Sequence, residues 1–397
     1  MRRSVYIILL LLLAPPVFAD GTLRDAVELA WERQPAHKAQ SARADEFAAK
    51  RSAAQALFPE PPSLFGTYRS DRLTGNEGQR EVEGGIAFPL WLPGEQGRQD
   101  AVVSAERDQY NSALAAAKLK TAGEVRETYW QARLAANEWA LARRKVEEAT
   151  ATAADVARRV KAGDLARVDL NQAQATEFLA RAALAEAEVK AFRARQGFSL
   201  LTGMTLLPGG DETLPARDAP LDDNPLLVPL QRAVATAQAK LGQATQSLRN
   251  NPEVELGVRR ERGIPGEPYA NSIQLGFRFP FATDARNGPR IAAANAELIE
   301  AHVAFGLERA RLAAEIEAAR RELEQTRAVV QYSEARFTLA ADTQRLLAKS
   351  FALGELELVS RLRAENERFE SELNFTRATL EAARAVGRLN QALGVLP

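Results

Sequence analysis

The sequence contains one supersecondary unit written twice. Displaced by 191 positions, Pro89 falls on Pro280, Glu106 on Glu297, Gly163 on Gly354 and Gly203 on Gly394, with no insertion between them. Inside each copy runs a seven-residue stripe: Val125, Ala132, Trp139, Val146, Ala153, Val160 in the first, and Ile316, Leu323, Val330, Phe337, Gln344, Phe351 in the second. A seven-residue period sustained over this length predicts long helices packed side by side as coiled coils, and its duplication predicts two helical hairpins of the same design. From Gly97 to Lys161 one uninterrupted helix spans about 100 Å at ~1.5 Å per residue, far more than a globular domain needs.

Glycines place the turns. Gly163 and Gly354 break the pattern where a left-handed residue can end a helix. Asp164 and Glu355 follow, suited to the first turn of return helices over about 167–201 and 358–393. Leu165 and Leu356, two positions past each Gly, are apolar residues on turns otherwise polar. They suit either packing within the turn or docking of a partner.

Ahead of each long helix the period changes from helical to two. Val254, Leu256 and Val258 alternate with Glu253, Glu255, Gly257 and Arg259, and Ile273, Leu275, Phe277 and Phe279 alternate with Gln274, Gly276 and Arg278. The first copy has the same pair, at about 63–72 and 82–90; the second pair covers about 253–262 and 271–280. One hairpin of this kind fits a soluble core equally well. Strands of about 9 to 11 residues, apolar on one face and polar on the other, are also what a transmembrane β-barrel with a watery interior requires. Four strands cannot close a barrel, for which about eight is the lower limit, so such a barrel is shared between chains. Phe88, Trp91, Phe279 and Phe281, at the Pro-terminated strand ends, suit an aromatic girdle at the membrane interface.

Arg2 and Arg3, the apolar run Val5 to Leu13 and the sequence Val17-Phe18-Ala19 have the layout of a secretory signal peptide over residues 1–19. The remainder divides into a first repeat at 20–203, a Pro- and Gly-rich linker at 204–223 and a second repeat at 224–397. There is no Cys, which excludes disulfides and thiolate metal sites. Basic and acidic residues balance at 52 each, which is no footprint for nucleic acid. His37 and His302 stand in different repeats, and no Gly-x-Ser-x-Gly turn or paired carboxylates in a cleft can be found, so neither an enzyme nor a cofactor or metal site is expected.

With helix, two strands, long helix, Gly turn and return helix all repeated, and with the tip segment Arg158 to Leu170, the chain resembles the TolC-like outer-membrane efflux proteins. That resemblance implies a mainly α fold with a small β part: a homotrimer in which each chain gives four strands to a shared transmembrane barrel and four helical rods to a periplasmic α-barrel. It also implies a role as the exit duct of a tripartite pump, joined through a periplasmic adaptor to an inner-membrane transporter of the RND type, with outer-membrane lipid around the strands. The tip residues Gly163, Asp164, Leu165, Gly354, Glu355 and Leu356 would face the adaptor. Pore constriction candidates are Asp169, Glu357, Ser360, Arg361 and Arg363. The family often places Asp six and nine residues after the second turn Gly; here those positions hold Ser360 and Arg363. Signs and spacing suggest that Arg361 and Arg363 pair with Glu355 or Glu357. The short chain, ending just after the last helix, resembles the CzcC-type subgroup serving heavy-metal cation pumps. The competing reading is a periplasmic adaptor, but adaptors carry one hairpin flanked by several β-rich domains.

Overall fold

In the computed structural model, residues 21–397 are described. The expected signal peptide at 1–19 lies outside them. The chain folds as α1 (Leu23–Glu32), α2 (Pro35–Lys38), α3 (Gln40–Ala54), β1 (Ser63–Ser70), β2 (Arg80–Pro89), α4 (Glu95–Ala162), α5 (Arg167–Thr202), a short 3-10 turn (Leu221–Asp223), α6 (Val228–Gln246), β3 (Glu253–Arg262), β4 (Ala270–Arg278), α7 (Asp284–Ala352) and α8 (Leu358–Ala392). α4 and α7 are 68 and 69 residues long, each about 100 Å. Their stripes face inward as the seven-residue period requires: Val125, Ala132, Ala153, Ile316, Leu323 and Phe351 are buried, although Trp139 is 37% exposed.

Both long helices begin ahead of their first internal glycines, Gly97 and Gly288. Gly94, at φ 72°, turns the chain, and Glu95 then starts α4 by accepting hydrogen bonds from Leu92 N (2.9 Å) and Asn251 Nδ2 (2.7 Å). Gly97 is therefore inside the helix. α7 begins at Asp284, fastened by Asn287 Nδ2 donating to Leu248 O at 2.6 Å. β1 stops at Ser70 because Asp71 builds the turn. Its carbonyl accepts from Thr74 N and Asn76 N, both 2.9 Å, and its carboxylate from Gly78 N, 2.9 Å. β2 then starts at Arg80.

The four strands form one antiparallel sheet in the order β1-β2-β3-β4. Its registers (Leu64 opposite Ile86, Ile86 opposite Leu256, Leu256 opposite Leu275) bring the apolar positions of all strands to one face. On that face Leu64, Tyr68, Val82, Ile86, Leu256, Val258, Ile273, Leu275 and Phe277 are all exposed, at 40% to 85%. The opposite face carries charges that neutralise one another. Glu81 pairs with Arg69 (3.3 Å) and Arg259 (2.9 Å), and Arg278 bridges Glu253 (3.3 Å) and Glu255 (2.9 Å). β1 and β4 are the edges, with unpaired backbone groups along their outer sides. Among the described residues no helix is long and apolar enough to cross a membrane.

Three cores string along the helices. One, with Leu23, Val27, Tyr129, Trp130 and Phe198, docks α1 on the middle of the first hairpin. A second, with Leu227, Leu312, Ile316, Leu323 and Leu389, is its counterpart in the second repeat. The third unites the ends of both hairpins through Val156, Ala173, Phe351, Leu358 and Leu362.

Candidate functional site: the hairpin tip and the belt

Both turns at the far end of the helices are closed in the same way. Asp164 N donates to Arg159 O (2.9 Å) and Gly163 N to Val160 O (3.1 Å); Glu355 N donates to Ser350 O (3.0 Å) and Gly354 N to Phe351 O (3.1 Å). This paired pattern satisfies the last helical carbonyls and requires a left-handed residue. Gly163 and Gly354 supply it at φ 89° and 79°. Leu165 and Leu356 are half-buried against the core that joins the hairpin ends. Leu353 (66% exposed), Val168 (57%) and Val359 (42%) are apolar side chains left open beside the turns. Asp164, Glu355 and Glu357 are exposed.

Among the constriction candidates, Asp169 closes the first turn of α5 by accepting from Ala166 N at 3.0 Å. Arg361 does not reach Glu355 or Glu357. It pairs with Glu365 at 2.9 Å and donates to Thr152 Oγ1 at 3.1 Å, which ties α8 to α4. On an α-helix a residue four positions on shares the same face, whereas Glu355 and Glu357 precede the helix. Phe351 lies between two guanidinium groups, Arg159 Cζ at 5.0 Å and Arg361 Cζ at 4.9 Å. The stripe pointed to Phe351 as packing, but its cationic neighbours come from distant positions and left no local signal. Ser360 is half-buried and Arg363 exposed, with no ion pair to Arg363 among the described residues.

Halfway along, the linker acts as a belt. Glu212 lies against Arg126 with contacts of 2.8 and 2.7 Å, and both side chains are less than a tenth exposed. Arg126 also donates to Gln391 Oε1 (2.5 Å) and Val395 O (2.8 Å), and Asn390 Nδ2 donates to Glu212 (3.0 Å). Composition marks residues 204–223 as an exposed linker, and most of them are exposed, yet Arg133–Asp211 and Arg309–Asp222 fasten this stretch further. Beside the belt Glu127 accepts from Arg384 at 2.6 and 2.8 Å. Burial pushes the Glu127 carboxyl up, but these bonds outweigh burial and hold it below the ordinary glutamate value.

At the strand ends the aromatic residues divide. Phe279 and Phe281 are exposed, at 60% and 89%. Phe88 instead packs on Phe58 with ring centres 5.5 Å apart, and Trp91 Nε1 donates to Ala56 O at 2.9 Å, because the α3–β1 connection passes over them.

Residues 26–204 match the family model described as outer membrane efflux protein. No curated protein sequence matches the chain. The fold is that of solved outer-membrane channels. The outer-membrane channel OprN is 19% identical with a TM-score of 0.76, covering 94% of this chain and 89% of that one. CmeC of Campylobacter jejuni is 15% identical with a TM-score of 0.74, covering 94% and 86%. CusC, whose structures concern transmembrane channel formation, is 17% identical with a TM-score of 0.73, covering 95% and 93%. Residues 26–204 thus carry the sequence pattern of the outer membrane efflux proteins, and both repeats carry the fold of solved outer-membrane channels.

Proposed function

We propose that three copies of the chain close into one duct, a twelve-stranded barrel continued by a ring of long helices, and that this duct is the passive exit of a tripartite pump. The observation that carries this reading is a pair of repeat-equivalent phenylalanines. Phe369 on α8 is buried, 7% exposed, where the two hairpins of one chain meet. Its counterpart 191 positions earlier, Phe178 on α5, is 62% exposed. The α4–α8 contact inside the chain has a repeat equivalent, α7 against the α5 of a neighbouring copy, and α7 correspondingly exposes Val329, Tyr332, Leu339 and Leu346. Ring closure buries both faces.

In that ring the apolar sheet face meets lipid and the neutralised polar face lines the lumen. Gly163, Asp164, Gly354 and Glu355 lie at the periplasmic end, where the hairpins of an adaptor can dock and connect the duct to an RND-type inner-membrane transporter. Asp169, Glu357, Ser360 and Arg363 are the residues of the narrow end, and the Arg361–Thr152 link holds it. Heavy-metal cations are the substrate class that the CzcC-type resemblance implies. A chain without Cys and with two His offers such cations no soft ligands, so they would pass unheld.

Native mass spectrometry of the detergent-extracted protein, followed by conductance in planar bilayers, tests the duct. A trimer that conducts supports it; a stable monomer overturns it. Loss of metal resistance on deletion, without loss of resistance to organic compounds, would fix the substrate class.

A further inference from the structure

Three arginines stand together at the outer end of the sheet. Arg80 faces Arg262 across β2 and β3, and Arg260 faces Val82. Strand alternation puts all three on the apolar face, in line with Val82, Val258 and Ile273. Tyr269 lies under two of them, its ring 4.4 Å from Arg260 Cζ and 5.1 Å from Arg262 Cζ. The strand carboxylates at this end, Glu81 and Glu261, point to the other face, where Arg69 and Arg259 hold them, and in the turns Asp71 accepts from Gly78 N and Glu267 from Ile264 N. Among the described residues none of the three arginines has an ion pair, and Arg262 Nε is buried without a hydrogen-bond partner.

The level of this cluster is set by the strands. Their other ends lead into the helices at Pro89 and Pro280, so the turns at 71–79 and 263–269 are the ends farthest from the periplasm. From Val254 to Arg260 the strand rises about 20 Å, close to the ~25 Å apolar band of an outer-membrane barrel. The arginines therefore sit at the outer border of that band. A guanidinium presents a planar fork that matches phosphate oxygens in pairs, and stacking on Tyr269 orients two of the forks. The strip of Val82, Val258 and Ile273 directly below fits an acyl chain, which a free anion lacks.

We propose that Arg80, Arg260 and Arg262 form a site for the phosphate group of an anionic lipid in the outer leaflet. The inference rests on the reading of this sheet as part of a membrane barrel. Each chain carries one site, so a closed trimer carries three.

The test uses the full-length protein purified in neutral detergent and doped separately with lipid A, a bis-phosphorylated glycolipid, with phosphatidylcholine, and with sodium phosphate. Bound molecules are counted by native mass spectrometry. Wild type is expected to retain lipid A at least tenfold over phosphatidylcholine, and millimolar phosphate is expected not to displace it. R80Q/R260Q/R262Q should lose the preference while remaining a membrane-inserted trimer, and R107Q/R143Q/R345Q, with three exposed helical arginines changed, should keep it. Equal retention of lipid A by the triple sheet variant overturns the proposal, as does displacement by phosphate. If the triple variant fails to assemble, R80Q and R260Q singly should each lower retention several-fold, and unchanged retention in both overturns it. A wild-type protein that never enters the membrane refutes the barrel reading, and this inference with it.

Discussion

Arg126 on α4 and Glu212 in the linker form a doubly hydrogen-bonded ion pair with both side chains almost fully buried. Removing one partner of such a pair leaves a charge in the interior without compensation, at a cost of about 3–5 kcal/mol. Glu212→Ala should therefore lower thermal stability more than Asp211→Ala, whose partner Arg133 is partly solvated. The double variant Arg126→Met/Glu212→Leu should recover much of the loss. Denaturant unfolding of the four proteins checks this; equal loss in the Asp211 and Glu212 variants would refute it.

Phe178 and Phe369 should separate assembly from folding. Phe369→Ala is expected to destabilise each chain, by about 3–5 kcal/mol if its cavity does not collapse. Phe178→Ala should leave chain stability nearly unchanged and weaken the trimer. Native mass at falling protein concentration, set beside unfolding curves, reads the two effects separately.

In the proposed ring the internal repeat also specifies how strands of neighbouring copies meet. Leu64 faces Ile86 while Val254 faces Phe277, so β1 and β3 correspond with an offset one residue shorter than β2 and β4. The internal pair Gly84–Val258 then maps to Leu275 of one copy beside Tyr68 of the next. Because the chain has no Cys, Tyr68→Cys/Leu275→Cys should give one covalent trimer on non-reducing gels. Tyr68→Cys/Phe277→Cys, two residues out of register, should crosslink poorly; the reverse order of yields would sink the mapping.

Gly354→Val tests the tip. A Cβ at this position meets open space, so the cost is that of the left-handed backbone, about 1–2 kcal/mol. Adaptor crosslinking and resistance are expected to fall while outer-membrane trimer levels hold, and Gly354→Asn should restore both because Asn tolerates the conformation. Loss of the trimer would assign the turn to folding instead.

Glu127 gives the expected pH dependence. Its carboxyl is held below the ordinary value in the folded protein, so the Arg384 bonds stabilise above the unfolded value of about 4.3 and are lost as pH falls through the folded one. Glu127→Gln should be less stable than wild type near pH 7, and the gap should close at acid pH below about 4. A gap that widens on acidification would contradict this.

Much of this architecture is legible in the sequence because the signals are periodic. Seven-residue stripes, two-residue alternation and the turn glycines place the long helices, the strand faces and the tips. Contacts that depend on the third dimension are not legible. Arg126 and Glu212 are far apart in the chain and carry no local mark, and the partner of Arg361 follows from where α8 begins. Phe88 and Trp91 look like interface aromatics by type and position, and nothing in the sequence marks that the α3–β1 connection half-covers them. The different burial of the repeat-equivalent Phe178 and Phe369 has no counterpart in their local sequences.

The linker fastens the two repeats to each other at Arg126, Asn390 and Arg309, well above the tips. Below that level α4 continues from Arg126 to Gly163 for about 55 Å, bundled with α5 and tied to α8 by the Arg361–Thr152 link. A clamped middle and a long rod make a lever with its fulcrum at the equator. Rotation of only about 5° there swings the end of such a bundle by roughly 5 Å, while the strands on the other side of the fulcrum need not move.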